Sequence, residues 1–85
     1  MGDNIGRKVT KAEFYATLDD ILELPAGTIT GDEQLKSLPT WDSLAVVNYI
    51  ATCNGLFGVM LVGDRVKETR SVADLVALVA VYVKD

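Results

Sequence analysis

The sequence predicts an all-α domain of 85 residues, a four-helix bundle of three main helices and one short one, with a long first loop. Three observations predict it. Apolar residues recur at helical spacing in separate stretches. A Ser, Thr or Asp stands ahead of each main stretch as a potential cap. Proline and glycine gather between the first stretch and the second. The length fits a single domain, residues 1–85, with its core at about 10–83.

Thr10 and Glu13 form a T-x-x-E capping box, and Val9 and Phe14 stand where a hydrophobic staple would sit. Phe14, Leu18, Ile21 and Leu22 make the first apolar stripe, which Pro25 and Gly27 are expected to end. Leu24 to Trp41 reads as a long loop. Asp32 opens a short turn through Leu35, and Ile29, Leu35, Leu38 and Trp41 pin the loop to the core. The second helix starts near Asp42 and Ser43. Val46, Ile50, Cys53 and Phe57 follow one row, and Val47, Ala51 and Asn54 another. Gly58 suits a left-handed helix end. Asp64 to Glu68 forms one short turn. The last helix begins at Ser71 with Asp74 at its third position. Val72, Leu75, Val76, Val79, Tyr82 and Val83 give its stripe, and their spacing is read as helical despite the strand propensity of valine.

Composition narrows the function classes. Hydrophobic residues make up 49% of the chain, enough for a core. A net charge of −4, from 12 acidic and 8 basic residues, argues against a nucleic-acid binder, which needs cations facing phosphates. There is no histidine, so a Ser-His-Asp triad, a Cys-His pair and the usual histidine metal sites are excluded, and no metal site is expected. Cys53 is the only cysteine, which suits a reducing cytoplasm. MGDNIGRKVT has no apolar run after its charges, so no signal peptide is read there. Ser43 to Gly63 is 21 residues without formal charge, but Asn48, Thr52, Asn54, Gly55 and Gly58 interrupt it. It is read as a buried helix and an apolar turn, not a membrane span.

One motif carries chemistry. Trp41-Asp42-Ser43-Leu44 stands at the expected start of the second helix, about halfway along the chain. A serine hydroxyl is a weak nucleophile unless a base or metal activates it, and this segment offers no base beyond Asp42. Activation must then come from a separate enzyme. A phosphodiester on Ser43 would sit where free amides and the helix dipole favour an anion. The plainer reading makes Ser43 or Asp42 an N-cap only, Trp41 a loop anchor, and Cys53 and the methionines packing groups.

Asp42-Ser43-Leu44 in this place resembles the D-S-L signature of the acyl carrier protein family. Ile29-Thr30-Gly31-Asp32, Leu35-Lys36-Ser37-Leu38, Phe57 and Thr69 to Val72 are similar to the family's flanking segments, so the likeness covers roughly residues 10 to 83. The resemblance implies a non-catalytic, monomeric, cytoplasmic carrier. A phosphopantetheinyl transferase would place 4'-phosphopantetheine, covalently from coenzyme A, on Ser43. Acyl-activating and acyl-transferring enzymes would then be the partners. It also implies partner docking through Asp42, Leu44, Val47, Asn48, Ala51 and Arg65.

The sequence departs from the family in one respect. Carriers of fatty acid synthesis have a strongly acidic second helix, and here that helix has no acid after Asp42. The acids lie at Glu13, Asp19, Asp20, Glu23, Asp32 and Glu33, while Arg65, Lys67 and Arg70 make the third segment mildly basic. Docking is therefore expected to lean on shape and apolar contact. The expected role is a specialised fatty acid, polyketide or related pathway. The small residues Ala51, Cys53, Gly55 and Gly58 suggest a bundle that opens beside the second helix to shelter an acyl chain. Alternatives are an unmodified interaction module of the same fold, or a peptidyl or D-alanyl carrier.

Overall fold

A computed structural model describes residues 8–84. The expectation of no signal peptide rests on the first residues and lies largely outside them. In order, the elements are strand β1 (Val9–Thr10), helix α1 (Lys11–Ile21), a 3-10 turn (Leu35–Ser37), α2 (Ser43–Phe57), α3 (Gly63–Lys67), α4 (Val72–Leu78), a second 3-10 turn (Ala80–Tyr82) and β2 (Val83–Lys84). The fold is mostly helical, but it is not purely α. The two strands pair in parallel, Val9 opposite Val83 and Thr10 opposite Lys84.

That pairing corrects the reading of the last stripe as one helix. α4 stops at Leu78, and the chain tightens to 3-10 before running extended into Val83. Branched valines are stiff and strand-prone. Beyond Val79, Val83 runs extended and pairs with the edge provided by Val9. Val72, Leu75 and Val79 are buried, whereas Val81 faces solvent.

The capping box of α1 is present. Thr10 Oγ1 accepts from the Glu13 amide at 3.1 Å and the Thr10 amide donates to Glu13 Oε1 at 2.9 Å. The other end differs from expectation. Pro25 and Gly27 do not stop α1. Glu23 does, at φ +57°, with its amide donating to Asp20 O and the Leu24 amide donating to Asp19 O. These two bonds form a Schellman closure whose left-handed residue is usually glycine. The chain then turns back under Asp19. This buried carboxylate accepts from the Gly27 amide through Oδ2 and from the Ile29 amide through Oδ1, both at 2.9 Å. Asp19 thus stabilises the start of the loop by satisfying two backbone donors, which is why a charge is tolerated in the core.

The turn within the loop also differs from its reading. Glu33, not Asp32, organises its turn, accepting from the Thr30 amide and hydroxyl and the Gly31 amide. Gly31 sits at φ +110° against Tyr15, and a Cβ there would lie 2.5 Å from the Tyr15 hydroxyl. Ile29 and Leu35 are buried anchors, and Leu38 and Trp41 pack beside them, as expected.

The core gathers Phe14, Leu18 and Leu22 from α1, Ala45, Val46, Tyr49, Cys53 and Phe57 from α2, Val66 from α3 and Val72, Leu75 and Val79. Phe14 meets Tyr49 edge-on at 6.2 Å, and Phe57 stacks on Tyr82 at 4.9 Å. Such aromatic pairs add about 0.5–1.5 kcal/mol beyond area burial. Tyr49 was not foreseen as a core residue. Its ring fills the centre and its hydroxyl donates to the Leu75 carbonyl at 2.6 Å, tying α2 to α4. Among the described residues, no helix is long and apolar enough to cross a membrane.

Candidate functional site

The site is built on the first turn of α2. Asp42 is extended at φ −139° and ψ −169°, and its Oδ1 accepts from the Ala45 amide at 3.0 Å. Asp42 is therefore the N-cap. Ser43 is the first helical residue, exposed, and its hydroxyl has no hydrogen-bond partner among the described residues. The capping demand is met one residue earlier, which leaves the serine oxygen available for other chemistry. The amides of Ser43 and Leu44 remain open in the same turn, beside the positive end of a 15-residue helix.

A phosphodiester on Ser43 fits this arrangement. It would meet open donors and no buried neighbour, and the nearest carboxylate, Asp42, is already drawn toward the Ala45 amide. A 4'-phosphopantetheine arm would be held by the Ser43 oxygen and steadied by the Ser43 and Leu44 amides.

The residues expected to dock partners fall on the face around this serine. Leu44 and Val47 are exposed by 67% and 59%, unusual for large apolar side chains. Asn48 and Ala51 are exposed and follow Leu44 at spacings of four and seven, so the three share one stripe. Arg65 is exposed on α3, which packs against α2. Met60 and Val62, exposed by 75% and 60%, extend the apolar surface into the α2–α3 connection. Those two were not foreseen. Their signal in sequence was only the lack of charge from Ser43 to Gly63.

Beside Ser43 lies a shallow depression of about 120 Å³ lined by Ile21, Glu23, Thr40, Asp42, Leu44 and Asn48, among others. The buried Thr40 hydroxyl has no hydrogen-bond partner there. The small residues expected to line an acyl shelter do not act together. Ala51, Gly55 and Gly58 face solvent, and Cys53 alone is in the core at 1% exposure. Burial pushes the Cys53 thiol up to about 11, partly offset by the neighbouring Tyr49 hydroxyl. It is a packing group, not a reactive thiol.

The sequence reading located Ser43 at the start of α2 and the stripe after it. What it could not see was which of Asp42 and Ser43 caps the helix, because both residue types do so readily. Comparison with protein-family models, with curated proteins and with solved structures found no match for this chain.

Proposed function

We propose that this chain is an acyl carrier protein that takes a 4'-phosphopantetheine arm on Ser43 and serves a specialised fatty acid, polyketide or related biosynthetic pathway. The arm, when bound, supplies a thiol that holds acyl groups as thioesters. One observation carries the reading: Asp42 caps α2, and this frees an exposed Ser43 hydroxyl at the helix tip. A serine kept only as a cap would have its own oxygen bonded to the first turn.

The residues divide the work as follows. Ser43 Oγ attacks the pantetheine-side phosphorus of the coenzyme A pyrophosphate, and as the new O–P ester forms the bridging P–O bond breaks and adenosine 3',5'-bisphosphate leaves. Its proton passes to a base of the transferase, since Asp42 is engaged with Ala45. The open amides of Ser43 and Leu44 favour the resulting diester by about 0.3–1 kcal/mol. Leu44, Val47, Asn48 and Ala51 offer the transferase and acyl-handling enzymes an uncharged docking face, flanked by Arg65 on α3. The helices around Tyr49 act as a bundle that holds this tip rigid, and the chain itself catalyses nothing.

Intact-mass measurement after incubation with coenzyme A, Mg²⁺ and a broad-specificity phosphopantetheinyl transferase tests the proposal. The expected result is a gain of one arm in the native chain and none in Ser43→Ala. A folded native chain that gains nothing with any competent transferase leaves only an unmodified interaction module.

A further inference from the structure

Resting on the carrier reading, we infer that a groove beside Trp41 receives the far end of the cargo and favours an acyl group that ends in a carboxylate. The groove has a volume of about 530 Å³ and is lined by Gln34, Leu35, Lys36, Trp41, Thr69 and Arg70. That size is in the range of small-ligand clefts.

Its frame is fixed by backbone pairing. Gln34 and Ser71 form an antiparallel bridge, the Leu35 amide donates to Arg70 O at 2.9 Å, and the Val72 amide donates to Glu33 O at 3.0 Å. These bonds hold the first 3-10 turn against the α3–α4 connection, so Lys36 and Arg70 stand on one rim. The floor is apolar. Leu35 is buried, and the half-buried Trp41 ring stands edge-on to Tyr49 at 6.4 Å. Thr69 Oγ1 is turned to the Val66 carbonyl and does not compete for a ligand's charge.

The charge on that rim is uncommitted. Of the nearby acids, Glu33 is held by the Thr30 and Gly31 amides and Asp74 by the Arg70 amide, while Asp32 and Glu68 are exposed to solvent. No ion pair to Lys36 or Arg70 is present among the described residues. In a chain of net charge −4, two cations over an aromatic floor suit a ligand with an apolar body and an anionic end. The phosphate of an arm on Ser43 does not meet this description. Ser43 is not among the groove's lining residues, and its phosphate would be fixed at the helix tip. A mobile acyl terminus reaches the groove instead.

The test leaves Ser43 unmodified. The chain is titrated with succinyl-pantetheine and with butyryl-pantetheine, thioesters of equal length that differ in the terminal carboxylate, and followed by amide and indole NMR shifts. Succinyl-pantetheine is expected to bind about two- to fivefold tighter. It should move the Trp41 indole N–H and the Lys36 and Arg70 amides. The Lys36→Gln/Arg70→Gln variant, folded by its spectrum, should lose the difference. Equal binding of the two thioesters, or a preference that survives in the double variant, overturns the inference. So does an equal gain for butyryl-phosphopantetheine at the same residues, which would make the groove a phosphate site. Because no arm is attached, these outcomes are separate from the transferase experiment that decides the carrier reading.

Discussion

Two adjacent residues at the start of α2 carry opposite burdens, and substitution separates them. Asp42 satisfies the Ala45 amide, so Asp42→Ala should lower unfolding free energy by about 1 kcal/mol. Ser43 spends its hydroxyl on nothing within the described residues, so Ser43→Ala should stay within about 0.5 kcal/mol of the native chain while abolishing modification. Urea titration beside intact mass reads both, and a large loss of stability in Ser43→Ala would make the serine structural. Cys53 supplies a pH signature. Its thiol rises from an ordinary 9.0 to about 11 because it is buried, so the folded chain holds the proton more tightly than the unfolded chain does. The stability this gives is complete below pH 9 and drains away as pH rises toward 11, by up to roughly 1.4 kcal/mol per pH unit. The destabilisation caused by Cys53→Ala, measured in urea at a series of pH values, should therefore shrink above pH 9. A constant difference would mean that the thiol is not held protonated by the core.

At the scale of elements, the starts of the main helices were legible, and of the stops only the left-handed Gly58 that ends α2 was. Thr10, Asp42 and Ser71 each cap the helix that follows, because a cap is a local bond between a side chain and an amide three residues on. The other stops depend on tertiary surroundings. α1 ends on Glu23 in a left-handed conformation that no local preference announces, and after Leu78 the chain passes through a 3-10 turn to Val83, which pairs with Val9 of β1. In sequence Asp19 is one of several acids of α1 with nothing to set it apart, yet the returning loop folds over it. The site was legible in the same uneven way. Ser43 and its stripe follow from local pattern, whereas the groove at Trp41 is assembled from segments more than 25 residues apart. Two variants probe these closures. Glu23→Gly relieves a left-handed side chain and should raise stability by up to roughly 1 kcal/mol in thermal melts. Asp19→Ala strands the Gly27 and Ile29 amides and should cost about 1.5–3 kcal/mol. A neutral Asp19→Ala would mean that water reaches those amides freely.

For the whole molecule, on the proposed carrier function, the distribution of charge would set how a partner is found. The chain is acidic overall, but from Ser43 to Gly63 it carries no formal charge, and Leu44, Val47, Met60 and Val62 stand exposed along that segment. A partner meeting this face is guided little by long-range fields, which require like charges gathered on one surface. Affinity must come from removing apolar surface from water, roughly 1.5–3 kcal/mol for a fully covered Leu or Val. Two consequences can be measured on transferase kinetics with the native chain. The kcat/KM for modification of Ser43 should change less than about twofold between about 0.05 and 0.5 M salt, a range over which the Debye length falls several-fold. Leu44→Ala and Val47→Ala, both at solvent-exposed positions and so harmless to the fold, should each lower kcat/KM, Leu44→Ala by roughly tenfold. Steered complexes behave in the opposite way, losing association rate steeply with salt and tolerating loss of an apolar rim. A tenfold decline of kcat/KM with salt, with Leu44→Ala neutral, would relocate the docking surface to the charged residues of α1 or α3.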